Sequence, residues 1–395
     1  MEQALTYLDN AATTKTLPEV VERMNEVMAT AWGNPSSPHV AGRRAADVLE
    51  ESRTIIADAL GAHPDEIYFT SGSTESNNLA VRGACLARRD EPGQIITSSL
   101  EHASVTRSVR GMRRDDAWPC SYVEAPDGKL DLDQLRDHLR AAPTTLITMM
   151  RVQNEAGWIF PIPEVAAIRD ELAPDVLLHT DATQAFGKLP VDVNDLGCQL
   201  LTAGAHKIGG PRGIGILYVQ RGINMFTTAF GGNQERGLRS GTEPVFLAAG
   251  MATAVQLAEK HLDENYRHAE TLRRRLVAKL HEALPDAIVH APEGGSPYIA
   301  SVSIPGVPNA RSVHYLSDRG ICVSRASACE ENHTTVPAGT WRKKHPLSLQ
   351  AAGIPLREGK QTLRVSFFHQ NTAADVDRFV SVLAECAREL RGEEA

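Results

Sequence analysis

The chain has 395 residues, 42% of them hydrophobic and 23% charged, the composition of a soluble globular enzyme large enough for more than one domain. Its 41 lysines and arginines against 49 acids leave a net charge of −8, which argues against direct nucleic-acid binding beyond a local basic patch. No apolar run approaches the roughly 20 residues of a membrane span, and the opening stretch MEQALTYLDN lacks the basic and apolar regions of a signal peptide, so a cytoplasmic location is expected.

In chain order, LTYLDNAATTK (residues 5–15) reads as a short strand and a polar turn. Pro18 suits the first turn of a helix. Residues 33–38 form a loop with two prolines. A helix follows from about His39 to Leu60, with Ala45, Val48, Leu49, Ser52, Ile55, Ile56 and Ala59 at helical spacing. Glu66–Thr70 is a short strand that feeds Ser71-Gly72-Ser73-Thr74-Glu75 and then a helix through Asn78 to Leu86. Strand, then glycine and Ser/Thr, then helix start is a place to bind phosphate, because free N–H groups and the helix dipole point at the anion. An ordinary N-cap by Ser73 or Thr74 accounts for the same residues.

Gln94–Thr97 is a strand followed by His102, where an imidazole can lie flat on a ring or simply cap the next helix. Thr145–Met150 is a third strand. Asn154 beyond it can donate to a ligand oxygen or make a turn. Pro163–Leu172 is helical. The stretch Val176–Gly215 then sets Asp181 at the end of one apolar run and Lys207 just after a second. An acid and a lysine at two strand ends can face one heteroaromatic ring. The acid keeps the ring nitrogen protonated and the lysine bonds covalently to the ring's aldehyde, which is what pyridoxal phosphate requires of a protein.

Ile216–Val219 is a further strand, and Gly231–Thr242 is a glycine-rich loop with two arginines. About Val245 to Leu284 reads as one long helix. From about residue 285 the pattern changes. Ile299–Ile304, Ile321–Val323 and Thr362–Phe368 read as strands, with helices near Ala310–Gly320 and over Ala373–Leu390. Strands alternating with helices, with polar residues after the strands, predict an α/β fold. Its mostly parallel sheet binds ligands beyond the strands' carboxyl ends, and a small α+β domain follows. The six cysteines, Cys85, Cys120, Cys198, Cys322, Cys329 and Cys386, form no CxxC pair and no zinc spacing, so no metal site is expected. Five of them read as small buried residues. Cys329 lies among small and polar neighbours and stands apart.

These residues carry a family resemblance. Leu8-Asp9-Asn10-Ala11-Ala12-Thr13-Thr14, Thr70-Ser71-Gly72-Ser73-Thr74-Glu75-Ser76-Asn77-Asn78, Glu101-His102 and Asn154-Glu155-x-Gly157 come first. Asp181-Ala182-x-Gln184-x-x-Gly187-Lys188 and His206-Lys207-x-x-Gly210-Pro211-x-Gly213 come next. The loop residues 231–242, Ser327-Ala328-Cys329 and Leu363-Arg364-Val365-Ser366 complete the series. In this order they resemble the cysteine desulfurases of the class V aminotransferase family, fold type I among pyridoxal phosphate enzymes.

The resemblance implies a large domain over residues 15–258, with a mostly parallel seven-stranded sheet between helices. It implies a small domain from residues 1–14 and 259–395 that carries the catalytic cysteine. Lys207 would hold the cofactor covalently and act as acid and base. Asp181 would pair with the ring nitrogen, Gln184 with the ring hydroxyl, and His102 would stack on the ring and shuttle protons. Thr74, Ser73 and His206 would take the phosphate, with Thr242 arriving from the second subunit of a homodimer. Asn10, Asn154 and Arg364 would contact L-cysteine, the last two gripping its carboxylate, for which an arginine fork is suited. Cys329 would be the nucleophile that keeps the sulfur as a persulfide. A sulfur-acceptor protein would receive it, in DNA phosphorothioation, tRNA thiolation or iron–sulfur assembly. Selenocysteine lyase is the enzymatic alternative. A non-catalytic scaffold is the alternative of another class, and intact Lys207, Asp181, Cys329 and Arg364 speak against it.

Two departures stand out. Gly204 occupies the position where the family usually carries a serine, so a phosphate contact is expected from Ser73 or water instead. The tract Glu330–His345 is unlike the common form, and reads either as a solvated loop or as a docking surface for the acceptor.

Overall fold

The computed structural model describes residues 5–325 and 348–392. Its strands are β1 (Thr6–Tyr7), β2 (Ile67–Thr70), β3 (Gln94–Ser98), β4 (Cys120–Val123), β5 (Thr144–Thr148), β6 (Leu177–Asp181) and β7 (Leu200–Gly204). Beyond them lie β8 (Gly215–Val219), β9 (Ile288–His290), β10 (Ile299–Ser303), β11 (Ile321–Cys322), β12 (Ser324–Arg325) and β13 (Thr362–Ser366).

Strands β2 to β8 make one seven-stranded sheet in the order β2-β8-β7-β6-β5-β3-β4. Only β8 is reversed; it pairs antiparallel with both β7 and β2, while the other pairings are parallel. Every residue of β3, β6, β7 and β8 is buried. That is the burial expected of strands covered by helices on both faces, and it explains why they read as apolar runs rather than as alternating patterns. The chain leaves β3 for β4 on one side and returns to β5 on the other. This reversal of winding opens a crevice beyond the carboxyl ends of the strands.

Strands β12-β13-β10-β9 form a separate antiparallel sheet, and β1 pairs parallel with β11. The second sheet packs Val302, Leu363 and Val365 against Leu272, Leu276 and Leu280 of one helix and Phe379, Val380 and Leu383 of another, giving a second apolar core.

Two features differ from the sequence reading. The expected single helix from Val245 to Leu284 is two helices, Val245–Lys260 and Leu262–Ala283, broken at His261 (φ −114°, ψ 18°). The break carries no proline or glycine. It is tertiary in origin: the first helix buries Ala248, Met251 and Val255 in the core of the large sheet, whereas the second sends Leu272, Leu276 and Leu280 to the other core. Strand β4 has no counterpart among the expected elements. It is the last strand in the order, and three of its four residues are half-buried, so it has neither an apolar run nor clean alternation.

One buried ion pair ties the loop after β8 to this frame. Arg53, on the helix Val40–Ala59, donates from both terminal nitrogens to Glu235, each at 2.9 Å, and both side chains are almost fully buried. Glu235 also accepts the Phe69 N–H of β2 at 2.8 Å. Removing one member leaves the other charged in a dry site. Glu235→Ala is therefore expected to destabilise the fold by about 3–5 kcal/mol, read from the denaturant midpoint. A loss below about 1 kcal/mol, the range of exposed pairs, would show that water reaches Arg53 and that the pair is not dry.

Candidate active site

The crevice holds a cleft of about 680 Å³. Each parallel strand around it contributes residues at or just past its carboxyl end: Ser71–Glu75 after β2, His102 after β3, Met150, Val152 and Asn154 after β5, Asp181 and Gln184 at β6, and His206 and Lys207 after β7. Strand ends expose backbone groups and side chains that the sheet itself no longer needs, so functional groups from five strands meet in one place.

Asp181 is buried and held from two directions. Its Oδ1 accepts the Thr183 N–H at 2.9 Å, and its Oδ2 accepts from Asn77 Nδ2 at 2.7 Å. Asn77 Nδ2 also donates to Ser104 Oγ at 2.8 Å, and Ser104 Oγ lies 2.7 Å from His102 Nδ1. The Ser104 N–H points at the same nitrogen, 3.2 Å away. Nδ1 of His102 is thus the acceptor, and the ring proton sits on Nε2. Burial lowers the His102 pKa, which keeps the ring neutral. His102 both caps the helix Ala103–Asp115 and lines the cleft, so the two readings left open for it coexist.

At the other end of the cleft, the helix that starts at Ser73 opens its first turn onto the cavity. Gly72 before it has φ 145°, a conformation that favours glycine, and this turns the chain from β2 into the helix. Ser73 Oγ is buried and has no hydrogen-bond partner among the described residues. A Cβ built on Gly204 would lie only 2.4 Å from that oxygen. The Ser73 hydroxyl therefore fills the space a side chain at 204 would need. His206 adjoins, its pKa pushed down to about 4 by burial and by the nearby Lys207, Lys188 and Arg212 charges. An unsatisfied buried hydroxyl beside an open helix start suits a ligand oxyanion, since each orphaned polar group costs free energy until it finds a partner.

Lys207 donates to the carbonyl oxygens of Ala11 and Ala12, the latter at 2.7 Å. Gln184 donates to the Ala11 carbonyl at 2.9 Å from Nε2 and accepts from Lys188 Nζ at 3.3 Å. Arg364 reaches the cleft from β13, with Nη1 on the Asn154 carbonyl at 3.0 Å and Nη2 on Asp9 Oδ1 at 2.9 Å. Its Nε is buried with no partner among the described residues.

Of the residues expected at the site, the structure gathers Ser73, Thr74, His102, Asn154, Asp181, Gln184, His206, Lys207 and Arg364 in this one cleft. Asn10 is not brought to it. The side chain is buried, and its amide nitrogen donates to the Ser366 carbonyl at 2.9 Å and Asn371 Oδ1 at 3.0 Å, joining the N-terminal segment to β13. This corrects the substrate contact expected of Asn10: it acts as a structural tie. Thr242 is exposed and does not line the cleft of its own chain. Cys329 and the tract Glu330–His345 lie outside the described residues.

The model of the aminotransferase class-V family matches residues 6–379. The chain belongs to the class-V aminotransferase family. It is 37% identical over 386 residues to the IscS-like cysteine desulfurase of Mycobacterium tuberculosis, covering 96% of this chain and 95% of the relative. Among solved structures it is similar to a NifS-like protein, with TM-score 0.88 and 31% identity over 97% of this chain and 99% of that one. It is also similar to SspA in complex with cysteine, with TM-score 0.77 and 31% identity over 91% and 98% of the two chains. The described residues hold no helix long and apolar enough to cross a membrane.

In this class-V aminotransferase, sequence reasoning left several residues around the cleft without a role. Asn77, Lys188 and Asp9 stand inside the motifs, yet nothing local shows that Asn77 reaches Asp181 or that Asp9 pairs with Arg364, 355 positions on. Glu101 is the clearest case. Burial raises its pKa to about 8, and it caps the end of β5 by accepting the Met150 N–H at 2.9 Å. A buried carboxyl one residue before the cleft histidine is a signal the sequence did carry.

Proposed function

We propose that the protein is a pyridoxal phosphate-dependent cysteine desulfurase, which converts L-cysteine to L-alanine and leaves the sulfur as a persulfide on Cys329. The observation that carries this reading is the convergence of Asp181, Lys207, His102, Gln184 and the Ser73 anion corner in one cleft, with Arg364 at its substrate side. The residues fit the cofactor. Asp181 would pair with the ring nitrogen, Gln184 with the ring hydroxyl, His102 would lie on the ring, and Ser73, Thr74 and His206 would take the phosphate. When bound, the cofactor supplies an electron sink that weakens the bonds around the substrate's α-carbon.

The chain's own residues do the rest. Asn77 fixes the Asp181 carboxylate, so the negative charge is directed before any ligand arrives. Arg364, already aligned by Asp9 and the Asn154 carbonyl, is set to orient the substrate carboxylate. The amine of Lys207 and the Nε2 proton of His102 are the groups in the cleft placed to move protons. The overall change balances: the thiol of Cys329 takes the cysteine sulfur as Cys329–S–SH, the Cβ–S bond breaks, and the Cβ gains a hydrogen to become alanine's methyl.

The deciding experiment incubates the cofactor-loaded protein with L-cysteine and no acceptor. Alanine and protein persulfide are expected in equal amounts, about one per chain, in the first turnover. Alanine formed no faster than with free cofactor would overturn the reading.

The anion corner gives a second expectation. Ser73→Ala removes a hydrogen bond to a charged oxygen and weakens cofactor uptake about tenfold to a hundredfold, measured by titrating the apoprotein. It also vacates the space beside Gly204, so Gly204→Ser in the same chain is expected to restore most of the affinity. A double variant that binds no more tightly than Ser73→Ala alone would show that position 204 cannot supply the contact.

A homodimer in which Thr242 reaches the partner's phosphate corner suits the same reading. Trp32 is 74% exposed and Phe230 80%, unusual for isolated aromatic surface residues and apt for a covered face. The acceptor of the sulfur, in phosphorothioation, tRNA thiolation or iron–sulfur assembly, would meet the protein around Cys329.

A further inference from the structure

We infer that Lys188 is a positioning residue: it decides which end of the Gln184 amide faces the cofactor ring. This rests on the proposed contact between Gln184 and the ring hydroxyl.

A carboxamide has two ends of nearly the same size, so packing alone does not choose between them. Chemistry does. The Lys188 Nζ lies 3.3 Å from Gln184 Oε1, and a lysine has no acceptor when protonated, so that end of the amide must be the oxygen. The Ala11 carbonyl lies 2.9 Å from Gln184 Nε2, and a carbonyl only accepts, so the other end must be the nitrogen. The two contacts agree. What Gln184 offers a ligand oxygen in the cleft is therefore its second N–H, a hydrogen rather than a lone pair. A reversed amide would set a lone pair against the ring oxygen and repel it.

Lys188 works from behind the site. It does not line the cleft; it borders a rear cavity of about 430 Å³ together with Tyr298, His268 and His369. Its ammonium lies 5.7 Å from the Tyr298 ring, and the side chain is only 2% exposed. Burial pulls its pKa down to about 7, helped by the Lys207 and Arg364 charges on the cleft side. Glu19, His268 and His369 face it across the rear cavity. As packing alone this amine is costly, since methionine fills a similar volume with no charge to desolvate. A second link makes the position matter: the Ala11 carbonyl that receives Gln184 also receives Lys207. Lys188, Gln184 and Lys207 are thus joined through one backbone oxygen.

The test reads the cofactor's visible absorbance against pH in the holoenzyme, a signal independent of turnover. A donor on the ring oxygen weakens that oxygen's hold on its shared proton, so losing the donor moves the midpoint to higher pH. Gln184→Ala is expected to raise the midpoint by about one unit, and Lys188→Met to raise it by a similar amount. In the Gln184→Ala background, Lys188→Met is expected to add little, because its route is already gone. If Lys188→Met shifts the midpoint equally in both backgrounds, its charge acts on the ring directly and the inference is overturned. If Gln184→Ala shifts the midpoint and Lys188→Met does not, the inference fails while the reading of Gln184 stands. If Gln184→Ala itself has no effect, that reading fails first. Should Lys188→Met not fold, Lys188→Arg keeps a donor and is expected to keep the parent's midpoint; a midpoint equal to that of Gln184→Ala would overturn the inference.

Discussion

Lys207→Ala is expected to give a folded protein that no longer retains pyridoxal phosphate covalently and makes alanine from cysteine at least about a thousandfold more slowly. Three observations set the size of this effect. Lys207 is the one primary amine among the described residues lining the cleft; the other cations there are His102, His206, Arg212 and Arg364, none of which can bond an aldehyde as lysine does. Lys188 has an amine, but it sits behind Gln184 and faces the rear cavity. Lys207 also stands at the end of β7, a strand buried throughout, so its position relative to Asp181 on β6 is fixed by the sheet and not by a mobile loop. The fold should tolerate the change. What is lost inside the protein is the pair of contacts to the Ala11 and Ala12 carbonyls, about 1–2 kcal/mol at most. The measurement is the intact mass after borohydride treatment, in which the parent gains the reduced cofactor and the variant does not. A cofactor adduct of the same yield on Lys207→Ala would show that another amine holds the aldehyde, and the site would have to be rebuilt around it.

Cys329→Ala is expected to leave cofactor uptake and colour unchanged and to lower alanine formation by about a hundredfold or more. The nucleophile on sulfur must be a thiolate with access to the substrate. The other five cysteines fail both conditions. Cys85, Cys198 and Cys386 are buried, Cys120 and Cys322 are half-buried, and none lines the cleft. Burial raises every one of these thiols above the ordinary range, Cys120 to about 11 and Cys198 to about 12. Only Cys329 is left to carry the persulfide, in agreement with its place in the family pattern. Intact mass after a single turnover is the check: one sulfur is expected on the parent and none on the variant. A persulfide of undiminished yield on Cys329→Ala would assign the chemistry to another thiol.

Much of the site is legible without the fold, because its signals are local. Gly72-Ser73-Thr74 after an apolar strand marks an anion corner by backbone chemistry alone, and Asp181 and Lys207 come after apolar runs that can only be buried strands. The departure at Gly204 is visible as well, and it has a geometric counterpart in the Ser73 hydroxyl. Legibility fails where a role depends on a distant partner. Asn10 resembles a ligand contact because it lies in a motif, but its amide is consumed by Ser366 and Asn371 more than 350 positions away. The break at His261 escapes for a related reason: no local residue ends the helix, and only the existence of two cores requires it.

The sequence by itself determined the layered α/β architecture, the order of the strands' functional ends and the chemical types present, since burial pattern, turn residues and motif spacing are written in consecutive positions. Tertiary structure alone decided the pairings that give those types their states: Asn77 on Asp181, Ser104 on His102, Asp9 on Arg364, and Lys188 on Gln184. The physical reason is range. A hydrogen bond acts over about 3 Å in space whatever the separation along the chain, so orientation, tautomer and charge are set by neighbours that the linear order does not reveal.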